Sequence, residues 1–168
     1  ENRAIRGLYS PGSIFKLTIA LGGLDSGQIS EQTTFYCGGS ALFYGRPFAC
    51  WFAGGHGVQN LPQAIQHSCN VFFYNTGRML GLERIAAYAK MLGLGDKTGI
   101  DLPGETSGKL PMPKYPGDTI NLSIGQGPIL VSPRGRLQVV IVSEDIPLQF
   151  VNFILQAIQV LVDPFQIP

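Results

Sequence analysis

Residues 15–21 are apolar except at Lys16 and Thr18, and no charged residue other than Lys16 appears until Asp25. This run predicts a buried helix that opens with Ser13 in its first turn, is weakened by Gly22-Gly23 and stops near Gly27. From 30 to 60 the pattern changes: glycines and aromatics are frequent and no helical period survives, which predicts loops and short hairpins. An irregular segment of that length inside a compact domain needs something to hold it. A helix restarts at Leu61, with Pro62 in the first turn, where its missing N–H costs nothing. Residues 71–80 and 82–92 read as two further helices, separated at Gly81 and ended by Gly93 and Gly95. A turn-rich loop with four prolines covers 99–116 and leads into 118–123. Ser132 and Pro133 read as the N-cap and first-turn proline of one more helix. The stretch 150–162 is apolar but carries Asn152, Gln156 and Gln159, and is too short to cross a bilayer.

Composition narrows the class. With 168 residues, 45% hydrophobic and 14% charged, the chain has the length and apolar content for one domain with a real core. A net charge of +1, without a basic run, gives no electrostatic footprint for nucleic acid. No signal peptide is recognisable and Glu1 is an unusual start, so the expectation is a piece of a longer polypeptide. The three cysteines are an odd number, against a closed disulfide framework.

Three constellations carry chemistry. Ser13-Ile14-Phe15-Lys16 puts a lysine one helical turn beyond a serine. A serine hydroxyl is a poor nucleophile until a base takes its proton, and a lysine desolvated by apolar neighbours can be that base. Ser68-Cys69-Asn70 offers a relay hydroxyl and an orienting amide on a turn between helices; taken alone it reads more readily as a helix-capping turn. Cys37, Cys50, His56 and Cys69, spaced Cys-x12-Cys-x5-His-x12-Cys, suit tetrahedral zinc and would staple the irregular segment. The rival is a Cys37–Cys50 disulfide with Cys69 a buried thiol. His67 reads as a helix-surface residue rather than a ligand.

The local sequences Arg6-Gly7-Leu8-Tyr9-Ser10-Pro11-Gly12-Ser13-Ile14-Phe15-Lys16, Gly55-His56-Gly57, Ser68-Cys69-Asn70-Val71-Phe72-Phe73-Tyr74, Thr98-Gly99-Ile100-Asp101-Leu102-Pro103-Gly104-Glu105 and Ile124-Gly125-Gln126-Gly127 follow one another in that order. Together they resemble the transpeptidase domain of class B penicillin-binding proteins, of the elongation type that works in rod-shape growth. The resemblance implies an α/β fold of the penicillin-binding-protein and β-lactamase kind, an antiparallel sheet flanked by helices. This chain would hold mainly the helical part and an incomplete sheet, with 1–133 a partial transpeptidase domain and 134–168 a divergent tail.

By the same resemblance Ser13 is the acylated nucleophile, Lys16 its base, Ser68 a proton relay and Asn70 the group that holds the acyl-side amide. The Ser13 amide would form half of the oxyanion hole. The implied activity is D,D-transpeptidation of D-Ala-D-Ala stem peptides of peptidoglycan, with β-lactams as mimics that stop at the ester. The implied zinc ligands are Cys37, Cys50, His56 and Cys69. Implied partners are peptidoglycan stems, a lipid-linked precursor and membrane proteins of the elongation complex, on the periplasmic face of the inner membrane, with the anchor outside this chain. Lys97-Thr98-Gly99 spells the family's third motif but precedes the Gly-Gln-Gly segment instead of following it, so it is read as a loop; no other Lys-Thr-Gly or Lys-Ser-Gly occurs, and the expectation is an active site that is incomplete in this chain. The alternatives are a catalytically inactive, zinc-stapled binding module and a β-lactamase or β-lactam sensor.

Overall fold

The computed structural model describes residues 2–110 and 115–135. Its centre is a pair of helices, α2 (Phe15–Asp25) and α4 (Asn70–Met91), packed face to face. Phe15 and Ile19 from α2 and Phe72, Phe73 and Ile85 from α4 are fully buried. The pair approaches closely because of Gly22 and Gly23, which the sequence pattern treats only as a weakness. A β-carbon on Gly22 would come within 2.7 Å of the Tyr88 ring, and one on Gly23 within 2.8 Å of Ile29 and 3.0 Å of Thr76. Helix α4 is broken as expected at Gly81, whose φ of 71° and ψ of 165° leave the helical region.

Short elements surround this pair. α1 (Arg3–Arg6) precedes the Ser13 segment, and α3 (Leu61–Gln66) carries a capping box in which Asn60 and Gln63 satisfy each other's backbone N–H. α5 (Pro116–Leu122) was not announced by the apolar pattern, since its buried residues Ile120 and Leu122 are only two apart. It lies on α4 where Gly77 leaves room: a β-carbon there would overlap the Ser123 hydroxyl. Pro133 to Gly135 are helical, and Ser132 caps them by accepting the Gly135 N–H at 3.0 Å. The expected divergent tail beyond Gly135, with its apolar stretch, lies outside the described residues. Among the described residues no helix is long and apolar enough to cross a membrane.

The irregular segment forms two small antiparallel sheets. β1 (Phe35–Cys37) pairs with β4 (Gly57–Gln59), and between them β2 (Ser40–Phe43) pairs with β3 (Arg46–Ala49). The inner hairpin turns through Tyr44 and Gly45, both at positive φ, the backbone twist that suits a two-residue hairpin loop. Phe35 meets Phe72 edge to face at 5.1 Å, and Phe43 and Phe48 both meet Tyr74, so α4 is also the floor of the hairpins.

Two backbone links close the molecule around Ser13. Tyr9 and Val131 exchange N–H to carbonyl bonds of 3.0 and 2.9 Å, and the Gly12 N–H donates to the Gly125 carbonyl at 3.0 Å. Gly125 must be glycine, because a β-carbon would fall on the Gly12 carbonyl oxygen. The Gly-Gln-Gly segment is therefore a wall of the loop that carries Ser13.

Candidate active site and metal centre

Ser13 lies in a 3-10 turn, Gly12–Ile14, and not in the first turn of an α-helix as expected. Gly12, at φ 63°, bends the chain against Gly125, and the tighter turn follows from that contact. Lys16 is the second residue of α2, 3% exposed, with its Nζ 3.3 Å from Ser13 Oγ. The same Nζ is 2.9 Å from Ser68 Oγ, 2.8 Å from the Ser68 carbonyl and 2.7 Å from Asn70 Oδ1. Ser68 Oγ in turn donates to Ser13 Oγ at 3.1 Å, closing a triangle of two hydroxyls and an amine. All four expected residues thus meet at one point, although 55 positions separate the two serines.

Burial pushes the Lys16 amine down to about 8, against a smaller upward pull from the Cys50 and Cys69 thiols. A neutral amine at that position presents a lone pair to the Ser13 hydroxyl, while Ser68 and Asn70 accept its remaining hydrogens. The Phe73 ring, 5.6 Å from Nζ, forms part of the apolar wall.

Ser68 has φ 48°, a left-handed conformation that costs a non-glycine residue about 1 kcal/mol. It turns the Ser68 hydroxyl and carbonyl together onto Lys16. Asn70 is the first residue of α4, with Cys69 as N-cap, so only Ser68 and Cys69 keep the non-helical turn expected for this motif. The Asn70 amide is used at both ends: Oδ1 accepts from Lys16, and Nδ2 donates to the Ala49 carbonyl at 3.4 Å. Tyr74, one helical turn beyond Asn70, donates its hydroxyl to the same carbonyl at 3.1 Å. Sequence reasoning passed over Tyr74; its i,i+4 spacing from Asn70 is the signal that could have found it. Burial raises its phenol to about 12, keeping it a hydrogen-bond donor at neutral pH.

Cys37, Cys50, His56 and Cys69 also converge, with their ligand atoms all within 4.8 Å of one another. His56 Nδ1 is 3.7 Å from Cys37 Sγ and 3.5 Å from Cys50 Sγ. For a zinc tetrahedron with ordinary Zn–S and Zn–N bonds, the sulfur-to-nitrogen edge is about 3.6 Å, so the donor set fits the ion. Burial and the neighbouring His67 and Lys16 hold the His56 imidazole below its ordinary value, which favours the neutral, ligating form. All three cysteines are free thiols, so the alternative Cys37–Cys50 disulfide is not formed. His67 stands outside the cluster: its ring stacks on His56 at 5.6 Å, and its Nδ1 lies 2.7 Å from Gln59 Oε1.

Residues 1–142 match the family described as the penicillin binding protein transpeptidase domain. This chain belongs to that transpeptidase family. It is 35% identical over 148 residues to the peptidoglycan D,D-transpeptidase MrdA of Acinetobacter baumannii, covering 79% of this chain and 21% of that protein. It is 37% identical over 136 residues to the stage V sporulation protein D of Bacillus subtilis, again covering 79% of this chain and 21% of the relative. Penicillin-binding protein PBP2 of Helicobacter pylori, solved in complex with MreC, superposes with a TM-score of 0.81 at 29% identity, covering 95% of this chain and 36% of that one. The expected class B, elongation-type kinship and the fold therefore stand. The chain spans about a fifth of the length of the curated relatives it matches.

Within this transpeptidase chain the Lys97-Thr98-Gly99 segment has a different use. The Thr98 amide and hydroxyl both donate to Glu105 Oε1, at 2.7 and 2.6 Å, and Arg134 Nε donates to Thr98 Oγ1 at 3.0 Å. Those bonds hold the Glu105 carboxyl below its usual range. Thr98 closes its own loop, in keeping with the reading that this is not the catalytic third motif.

Proposed function

We propose that this chain provides the nucleophile side of a peptidoglycan D,D-transpeptidase. The observation that carries the reading is the closed contact of Lys16 with Ser13, Ser68 and Asn70. Lys16 takes the Ser13 proton as Oγ attacks the carbonyl between the two D-Ala residues of a stem peptide. The C–N bond breaks, and Ser68 hands a proton to the departing D-Ala amine. An acceptor stem amine then attacks the ester, displaces Ser13 Oγ and forms the cross-link while the serine regains its proton. The Ser13 amide contributes a donor toward the oxyanion. Asn70, fixed by Lys16 and Ala49, aligns the acyl-side amide.

Cys37, Cys50, His56 and Cys69 hold a structural zinc in this proposal. The ion supplies cross-linking of the hairpin segment and no step of the reaction. Because Cys69 lies between Ser68 and Asn70, and Cys50 follows Ala49, the staple adjoins both ends of the Asn70 contact. Likeness to cell-wall transpeptidases supports action at the periplasmic face of the inner membrane on stem peptides of a lipid-linked precursor. The complex of a relative with MreC supports an elongation-complex partner of that kind.

Intact-mass spectrometry after incubation with benzylpenicillin tests the reading. One stable adduct is expected, absent in Ser13→Ala. A folded chain that takes no adduct would assign it to the inactive, zinc-held module, and rapid loss of the adduct to a β-lactamase.

A further inference from the structure

A cavity of about 590 Å3 opens between the β2–β3 hairpin and α5, with Tyr44, Arg46 and Phe48 on the hairpin wall and Tyr115, Asp118 and Asn121 on the helix wall. Two of its rings stand open to solvent, Tyr44 at 59% and Tyr115 at 71% exposure. Tyr44 also sits at φ 49°, where a bulky side chain is an outlier and the turn itself would prefer asparagine or glycine. The ring is therefore held beside the cavity against the local preference of the backbone, and such outliers gather at binding sites. The Arg46 guanidinium has no hydrogen-bond or ion-pair partner among the described residues. On the helix wall the Asp118 carboxylate accepts the Tyr115 N–H at 3.1 Å, so that anion is engaged by its own backbone.

Strand β3 leads from the wall of the cavity to the Asn70 contact. That strand runs from Arg46 to Ala49, and the Ala49 carbonyl accepts from Asn70 and Tyr74. Three residues of strand span about 10 Å. An extended peptide whose acyl-side amide is held at Asn70, and which follows β3 outward, brings a residue a few positions ahead of its reacting bond to Arg46. A guanidinium with no partner among the described residues, in a cavity that Tyr44 and Tyr115 also line, suits a carboxylate on an apolar stem, since it pairs such a group with two parallel hydrogen bonds.

We infer that this cavity binds the carboxylate-bearing part of the donor stem peptide upstream of D-Ala-D-Ala. Arg46 pairs the carboxylate, and Tyr44 and Tyr115 cover the apolar portion. The inference rests on the proposed transpeptidase reading and names the substrate features that this site selects.

The test measures binding of two synthetic stem pentapeptides by calorimetry, one with its upstream carboxylates free and one with them amidated. Wild type is expected to prefer the free carboxylates, and Arg46→Gln to bind that peptide about tenfold to a hundredfold more weakly. Arg46→Gln and wild type should bind the amidated peptide alike, with unchanged melting. Tyr44→Gly, which the turn accommodates without strain, should melt no lower than wild type and weaken both peptides several-fold. Equal binding of the free peptide by wild type and Arg46→Gln would overturn the inference, and so would an unrelated acidic peptide that binds as well as the stem. Penicillin acylation of wild-type Ser13 is measured in parallel. Its absence would count against the transpeptidase reading itself, whereas an acylated chain that does not distinguish the two peptides would refute the cavity assignment alone.

Discussion

The Ser13, Lys16 and Asn70 contact and the cysteine–histidine cluster are neighbours in space but are held in opposite ways. Ser13, Lys16 and Asn70 hang from a paired helix core whose positions are set by buried aliphatic and aromatic side chains. The segment from Phe35 to Asn60 has two strand pairs of three and four residues, and leaves Tyr36, Trp51 and Val58 more than half exposed. It buries Cys37, Cys50 and Phe43 but has little else of its own for a core. One region is ordered by burial; the other, in the proposed reading, is held by the four side chains that would ligate zinc. The contrast teaches that Asn70, whose backbone belongs to the first region and whose amide bonds to the second, is where loss of either support should reach the chemistry.

Removing the metal should separate the two regions most sharply. Structural zinc contributes on the order of 10 kcal/mol to small domains that depend on it, so a chelator should strip protection from residues 35–59 in amide exchange. The α2 and α4 amides should stay protected in the same sample, and bound zinc should read one ion per chain beforehand. A metal-free chain with unchanged melting and unchanged loop protection would sink the zinc assignment.

The converse change strikes the chemistry and spares the loop. Lys16→Met removes the base, and acylation by penicillin should slow by about 10²–10⁴-fold, roughly 3–5 kcal/mol of barrier, while zinc content is retained. The wild-type rate should also depend on pH in a defined direction. With the Lys16 amine near 8, raising pH converts it to the proton-accepting form, so the rate should climb about tenfold per unit below 8 and flatten above. A rate flat from pH 6 to 9 would show that another group takes the proton. Smaller again, and confined to the helix core, is Gly77→Ala: its β-carbon would overlap the Ser123 hydroxyl, so α4 and α5 must part at a cost of about 1–3 kcal/mol in thermal stability.

The same contrast decides what could be read from the chain alone. Ser13 and Lys16 were legible because three residues of helical geometry suffice to bring them together. The cysteines and His56 were legible because their residue types are chemically particular, but their closure into a tetrahedron depends on β1 pairing with β4. What escaped rests on contacts between distant segments. Gly22 and Gly23 look like helix breakers until Tyr88, Ile29 and Thr76 are seen against them, and α5 has no period of its own because Gly77 makes its seat. The 3-10 turn at Ser13 depends on a distant segment, as the Gly12 N–H to Gly125 carbonyl bond fixes it. Tyr44 in a left-handed turn is a position that propensity argues against.

Tyr74→Phe tests the join between the two regions and should have the smallest effect. The hydroxyl touches no reacting atom; it holds the Ala49 carbonyl that also receives the Asn70 amide. Without it Ala49 keeps, among the described residues, the long 3.4 Å bond from Asn70, and that amide is less firmly oriented. Loss of one neutral hydrogen bond is worth about 1 kcal/mol, so acylation should slow about fivefold. A role in packing alone would lower the melting temperature and leave the rate of the folded chain unchanged, because phenylalanine preserves the ring contacts with Phe43 and Phe48. A slower rate at unchanged zinc content and melting would therefore show that the hairpin segment orients Asn70 through Ala49. An unchanged rate would mean that Lys16 alone holds Asn70, and that the hairpin segment supports the Ser68–Asn70 turn only through Cys69.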